Sequence, residues 1–165
     1  LRDEVANELL NLVKGNTPEF FERLVVQLLV AMGYGGSVKE AGQATRKTAD
    51  EGIDGVIKED RLGLEAIYLQ AKRWESAVGR PEIQKFVGAL HGQRAKKGVF
   101  ITTSYFSKEA LEYTGQIEPR VVLIDGRDLV QLMIDYDVGV SSAAVYEVKK
   151  VDMDFFIEGD RKSVV

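Results

Sequence analysis

Asp54 offers a carboxylate, Gln70 an amide oxygen and Lys72 an ammonium, and the chain spaces them so that one site could use all three. The run Tyr68-Leu69-Gln70-Ala71-Lys72 reads as a strand, whose successive side chains point to opposite faces. Gln70 and Lys72 therefore share a face, while Leu69 and Ala71 turn to the other. Asp54, on a preceding strand, and Gln70 supply oxygens suited to a hard divalent cation. Lys72 beside them could polarise or orient a water, a combination that suits metal-assisted phosphodiester cleavage. A solvated strand face carrying Gln and Lys fits the same triplet.

The elements around these residues are those of one ordinary domain. At 165 residues the chain can bury a full core, and its 45% hydrophobic and 29% charged content is globular. It has no Cys, which excludes disulfides and thiolate metal sites. No apolar run approaches the roughly 18 residues of a membrane span, and Leu1-Arg2-Asp3-Glu4 has no signal-peptide core, so a cytoplasmic location is expected. Without an initiator Met, the chain reads as a fragment with more protein upstream.

A net charge of −4 argues against binding nucleic acid by bulk electrostatics, but the charge is unevenly placed. Lys72, Arg73, Arg80, Lys85, Arg94, Lys96 and Lys97 face only Glu75 and Glu82 over the same stretch, and acidic residues gather at Asp152, Asp154, Glu158 and Asp160. Such a basic strip can touch a polyanion or simply be a solvated helix face.

Along the chain helices alternate with strands. A short amphipathic helix is predicted over 3–14. A second starts at Thr17-Pro18-Glu19, where a capping hydroxyl, a Pro in the first turn and a carboxylate combine, and it runs to Gly33. Strands are predicted near 37–40, over 52–57 and over 64–73, with a polar loop over 41–51 and a turn at Arg61-Leu62-Gly63. A helix from about Pro81 to Lys96 follows. Then come a strand at 99–103 and another at 121–124, both buried, with helices at 107–114 and 126–136 and a last strand near 145–149 closing the domain. The order implies an α/β fold with a mixed central β-sheet flanked by helices.

Asp54, Gln70-Ala71-Lys72, Gly79-Arg80-Pro81-Glu82-Ile83 and Phe86-Val87-Gly88-Ala89-Leu90 resemble the catalytic domain of Mrr-type restriction endonucleases. So do Gly98-Val99-Phe100-Ile101-Thr102-Thr103-Ser104, Phe106-Ser107 and Leu123-Ile124-Asp125-Gly126. The likeness runs from about Pro18 to Tyr146. This family belongs to the PD-(D/E)xK nuclease superfamily and carries Gln where most members have Glu. The resemblance implies a restriction-endonuclease-like core (αβββαβ) and a Mg²⁺-dependent deoxyribonuclease, with Mn²⁺ as a substitute. It implies type IV-like restriction of modified, methylated DNA.

Carried over residue by residue, Asp54, Gln70 and Glu22 would hold the metal, and with Lys72 they form the catalytic set. Glu22 lies three and four residues before Val25 and Val26, at the border of an apolar helix stripe where a carboxylate needs a partner. Arg73, Arg80, Gln84 and His91 are candidates to contact DNA. Trp74 and Tyr68 could stack on a base but suit core or rim packing better. The hydroxyls of Thr102-Thr103-Ser104 could cap the next segment or touch a phosphate. One departure is the segment Arg46–Asp54, which lacks the glycine-rich approach to the metal-binding Asp often seen in the family.

The resemblance divides the chain into 1–16, a helix or linker from an upstream domain; 17–150, the catalytic domain; and 151–165, an acidic tail. It implies double-stranded DNA as partner, a homodimer or higher homo-oligomer, and a separate upstream DNA-recognition domain, since nothing here resembles a winged helix. A single His leaves no Ser-His-Asp arrangement, and no phosphate-binding P-loop is present. A junction-resolving or repair nuclease of the same superfamily, and an inactive nuclease-like DNA-binding module, remain open alternatives.

Overall fold

In the computed structural model, residues 1–35 and 54–157 are described. Helices α1 (Arg2–Lys14) and α2 (Pro18–Ala31) precede strands β1 (Gly55–Lys58) and β2 (Ala66–Lys72). Helix α3 (Arg80–Gly92), strand β3 (Lys97–Thr102), helix α4 (Lys108–Thr114), strand β4 (Arg120–Ile124) and helix α5 (Gly126–Asp135) follow, and a single 3-10 turn (Met153–Phe156) comes after them. The sheet order is β1-β2-β3-β4, with β1 antiparallel to β2 and the other neighbours parallel. The strand expected near 37–40 and the loop over 41–51 lie outside the described residues.

Local chemistry accounts for where these elements begin. The Thr17 hydroxyl accepts from the Phe20 N–H at 3.1 Å, satisfying one of the unpaired donors at the start of α2. Ser107 and Asp125 cap α4 and α5 in the same way, accepting from Ala110 and Asp128. Gly33, with φ +105°, ends α2 in a conformation that favours glycine. The Asp60 carboxylate accepts from the Leu64 N–H at 3.0 Å and closes the β1–β2 turn around Arg61-Leu62-Gly63.

The sheet is the middle of three layers. On one face Ile57, Ile67, Leu69, Val99 and Ile101 pack with Leu9 and Val13 of α1, six residues of α2 and Leu129, Val130 and Met133 of α5. Helix α1, expected as a lead-in from an upstream domain, thus packs in the same core as α2, α5 and the sheet. On the other face Ile83, Phe86, Val87 and Leu90 of α3 close over Phe100, which sits edge-on to Phe86 and Phe106 with ring centroids 5.7 Å apart in each pair.

Three expectations need correction. Helix α3 stops at Gly92, not Lys96, because Arg94 takes a positive φ of 54° and the Ala95 N–H turns back to the Leu90 carbonyl. Strand β4 is not buried on both faces: it ends the described sheet and alternates in exposure, leaving Val122 48% exposed. Residues 145–149 form no strand among the described elements; the segment is exposed, and no described residue pairs with its backbone.

Candidate active site

Because β1 runs antiparallel to β2, the start of β1 meets the end of β2, and there Asp54 and the Gln70-Ala71-Lys72 triplet come together. The Asp54 N–H donates to the Leu69 carbonyl at 2.7 Å, and its carboxylate Oδ2 accepts from the Ala71 N–H at 2.7 Å. Asp54 therefore straddles Gln70 with one backbone and one side-chain bond. Its carboxylate takes the place of a strand carbonyl just where the β1–β2 ladder ends. That bond fixes the side chain at the mouth of the sheet.

Burial and charge set the electrostatics. Desolvation pushes the Asp54 carboxyl above its ordinary value, against the pull of the Ala71 N–H and the nearby Lys72 charge. Glu22, on the first turns of α2, is exposed while neighbouring Phe21, Val25 and Val26 are buried. Its carboxyl is raised too, by desolvation first and then by the charges of Asp54 and Glu19. Glu22 and Asp54 thus lie within each other's field although they come from different layers.

Gln70 is only 4% exposed, a position where an ionised Glu would carry a large desolvation cost but a neutral amide is tolerated. Lys72 is half-buried, with Nζ 5.7 Å from the centroid of the Trp74 ring. The Lys72 main chain is held as well: its carbonyl accepts from the Thr102 hydroxyl at 2.8 Å, and the Trp74 carbonyl from the Thr103 hydroxyl at 3.0 Å. Thr102 also accepts from the Ser104 N–H at 3.2 Å. The Thr102 and Thr103 hydroxyls are thus committed to backbone carbonyls, the Ser104 hydroxyl lies 3.1 Å from that of Thr102, and together they brace the strand that carries Gln70 and Lys72.

The donor set fits a hard divalent cation: two carboxylates in one field and a neutral oxygen, with no thiolate in the chain. Among the described residues no three His, Cys, Asp or Glu side chains gather to hold a metal by themselves. A cation held there would need an oxygen from Gln70 as well.

The DNA-contact candidates disperse. Arg73 is half-buried and donates to the Lys14 carbonyl at the end of α1 at 2.9 Å, tying that helix to the segment that follows β2. Arg80 opens α3 with its guanidinium 4.9 Å from the Tyr113 ring, and Gln84 is exposed one turn on. His91 is on the last turn of α3, about 16 Å along the helix axis from Arg80 and toward the opposite end of the sheet. Tyr68 and Trp74 pack against the α3–α4 core rather than standing free. The approach segment Arg46–Ile53 lies outside the described residues.

One feature escaped the sequence reading. A groove of about 440 Å³ opens where β3 and β4 end, on the same side of the sheet as the end of β2. Lys14, Arg127, Ser104 and Tyr105 line it, with Glu75 and Asp125 opposite in charge. Lys14 and Arg127 stand in no motif; only the fold brings them together.

The family model of the Mrr catalytic domain, a restriction endonuclease, matches residues 13–133. The chain belongs to the Mrr-type restriction endonuclease family. This Mrr-type domain is 51% identical over 156 residues to the type IV methyl-directed restriction enzyme EcoKMrr of Escherichia coli K12. The alignment covers 94% of the chain but 50% of that relative, so the chain spans about half its length. Among solved structures it resembles the DNA modification-dependent restriction endonuclease AspBHI, with a TM-score of 0.62 and 21% identity over 83% of this chain and 36% of that one. It also resembles MspJI restriction endonuclease in complex with a 27-mer oligonucleotide, with a TM-score of 0.58 and 22% identity over 80% and 31% of the two chains. At those identities the likeness is one of fold, and it agrees with the restriction-endonuclease-like core expected from the sequence.

Proposed function

We propose that this Mrr-type domain is the catalytic part of a Mg²⁺-dependent endonuclease that hydrolyses phosphodiester bonds in double-stranded, modified DNA, with Mn²⁺ as a substitute. The observation that carries the reading is Asp54 bonded into the Gln70-Ala71-Lys72 strand, which sets a fixed carboxylate beside an amide oxygen and an ammonium. Asp54, Gln70 and Glu22 would hold the ion. A bound Mg²⁺ offsets the charge that builds on the phosphoryl oxygens and lowers the pKa of a water it holds.

The rest is the work of the protein. The Ala71 N–H orients Asp54, and Lys72 donates hydrogen bonds to the attacking water or to a phosphoryl oxygen. Trp74 and the Thr102 brace keep Lys72 in place. Lys14 and Arg127 in the neighbouring groove are suited to positioning the flanking phosphates. Specificity for methylation is proposed from the methyl-directed relative, with recognition residing in a domain outside this chain. Cleavage of both strands calls for two such sites, so the enzyme acts as a homodimer or larger homo-oligomer, in the cytoplasm.

The test is nicking of supercoiled plasmid, methylated or unmethylated, by the whole protein with Mg²⁺ or with EDTA. Metal-dependent cutting of methylated plasmid is expected. Preference for four-way junctions would move the assignment to a resolving nuclease, and binding without cutting would make the domain an inactive DNA-binding module.

A further inference from the structure

The chain leaves its core at Val140. Val138 and Val140 still pack against the α1–α2–α5 side of the sheet, yet from Ser141 to Ile157 every residue is exposed. This stretch is not a polar tail. It holds Val145, Tyr146, Val148, Val151, Met153, Phe155, Phe156 and Ile157, and the first three are 85%, 90% and 95% exposed. Scattered apolar side chains on a surface need no explanation, but eight within thirteen residues mark a surface meant to be covered. The segment Val145-Tyr146-Glu147-Val148-Lys149 is rich in the β-branched and aromatic residues that favour a pleated neighbour, and among the described residues it has none.

A matching acceptor stands on the same molecule. Strand β4 is paired to β3 on one side, and among the described residues nothing pairs with its other edge. Natural edge strands are blunted by charges, proline or bulges. Here Arg120-Val121-Val122-Leu123-Ile124 has one charge, at its start, and Val122 is 48% exposed. Its five residues equal the length of Val145–Lys149.

We propose that the 141–157 arm docks on a second copy of the chain, adding Val145–Lys149 as a strand to the partner's β4 edge and receiving the partner's arm in return. Because the exchange is reciprocal, each copy giving one arm and receiving one on its edge, the interface is two-fold symmetric and closed. Eight large apolar side chains per arm, three of them aromatic at roughly 150–250 Å² apiece, supply the ~800 Å² per partner of a standard stable interface. The inference gives a surface to the homodimer proposed above, and it does not depend on the cleavage chemistry.

The test is sedimentation equilibrium of the whole protein without DNA, comparing native protein with Val148→Asp in the arm and Val122→Lys on the edge. Both positions are exposed, so neither change should disturb the core, and a thermal melt checks this. The native protein should dimerise, and each variant, altered at both contacts of its homodimer, should dissociate about 30-fold more readily per contact, roughly 900-fold in all, as for loss of an interface hot spot at each. An equimolar mixture of the two variants should associate more tightly than either alone, since the mixed dimer keeps one intact arm-on-edge contact. A monomeric native protein, a variant that dimerises as well as native, or a mixture no tighter than its components would each overturn the proposal. The last two results would send the arm to another part of its own chain or to a different protein. Plasmid nicking in parallel keeps the two readings apart: a failed arm with intact cutting leaves the nuclease standing.

Discussion

Asp54 does two jobs, and two substitutions separate them. Its carboxylate accepts from the Ala71 N–H, a structural bond, and it carries a half-buried charge that desolvation disfavours on balance. Asp54→Asn keeps an oxygen for Ala71 and removes the charge; Asp54→Ala removes both. Because the folded protein holds the Asp54 proton more tightly than the ordinary value of 3.8, ionisation costs stability at neutral pH in metal-free buffer. Asp54→Asn should therefore melt at or above the native temperature in EDTA. Asp54→Ala leaves a partly buried N–H without its acceptor, a loss of about 1–3 kcal/mol relative to Asn. For a chain of this size that is roughly 2–12 °C in Tm. Both variants should lose plasmid cleavage in Mg²⁺. The assays are calorimetric melts in EDTA and a nicking time course. If the Asn and Ala variants melt together, or if Asn cuts at the native rate, the double role of Asp54 is refuted.

Three further outcomes follow from the same geometry. Thr102→Val removes the hydroxyl that bonds the Lys72 carbonyl and receives the Ser104 N–H. It should cost about 1–3 kcal/mol by chemical denaturation and slow cleavage, with an unchanged cutting rate counting against the brace. Gly126→Ala would drive a Cβ into the Thr103 carbonyl oxygen where α5 starts, so a loss of about 3 kcal/mol or more, or failure to fold, is expected; native-like stability would contradict the close approach. The raised carboxyls of Glu22 and Asp54 keep their protons to higher pH than usual, and a cation needs both ionised. Calorimetric Mg²⁺ affinity should thus fall on acidification while still above 3.8 and 4.5, the ordinary values; affinity that holds until below them would remove both groups from the site.

The parts of this molecule governed by local rules were legible from the sequence. Thr17-Pro18-Glu19 announces α2 because a hydroxyl cap and a fixed proline φ act within one turn. The Gln70–Lys72 face follows from strand alternation alone. What needed the fold were contacts between distant segments: Asp54 reaching across Gln70 to Ala71, Arg73 tied to the Lys14 carbonyl, and Lys14 and Arg127 meeting in one groove. The Thr102 and Thr103 hydroxyls were open between capping and phosphate contact because residue type cannot tell which carbonyl a strand end will face. Val145–Lys149 misled for a different reason. Its β-forming side chains are real, but a strand exists only where an edge accepts it, and composition says nothing about which molecule supplies that edge.

The most direct measurement is Mg²⁺-dependent nicking of methylated supercoiled plasmid by native protein and by Lys72→Ala, each checked for fold by its thermal melt. The variant should melt like the native protein and leave the plasmid uncut. Cutting at the native rate by a folded Lys72→Ala protein would contradict the catalytic role of Lys72.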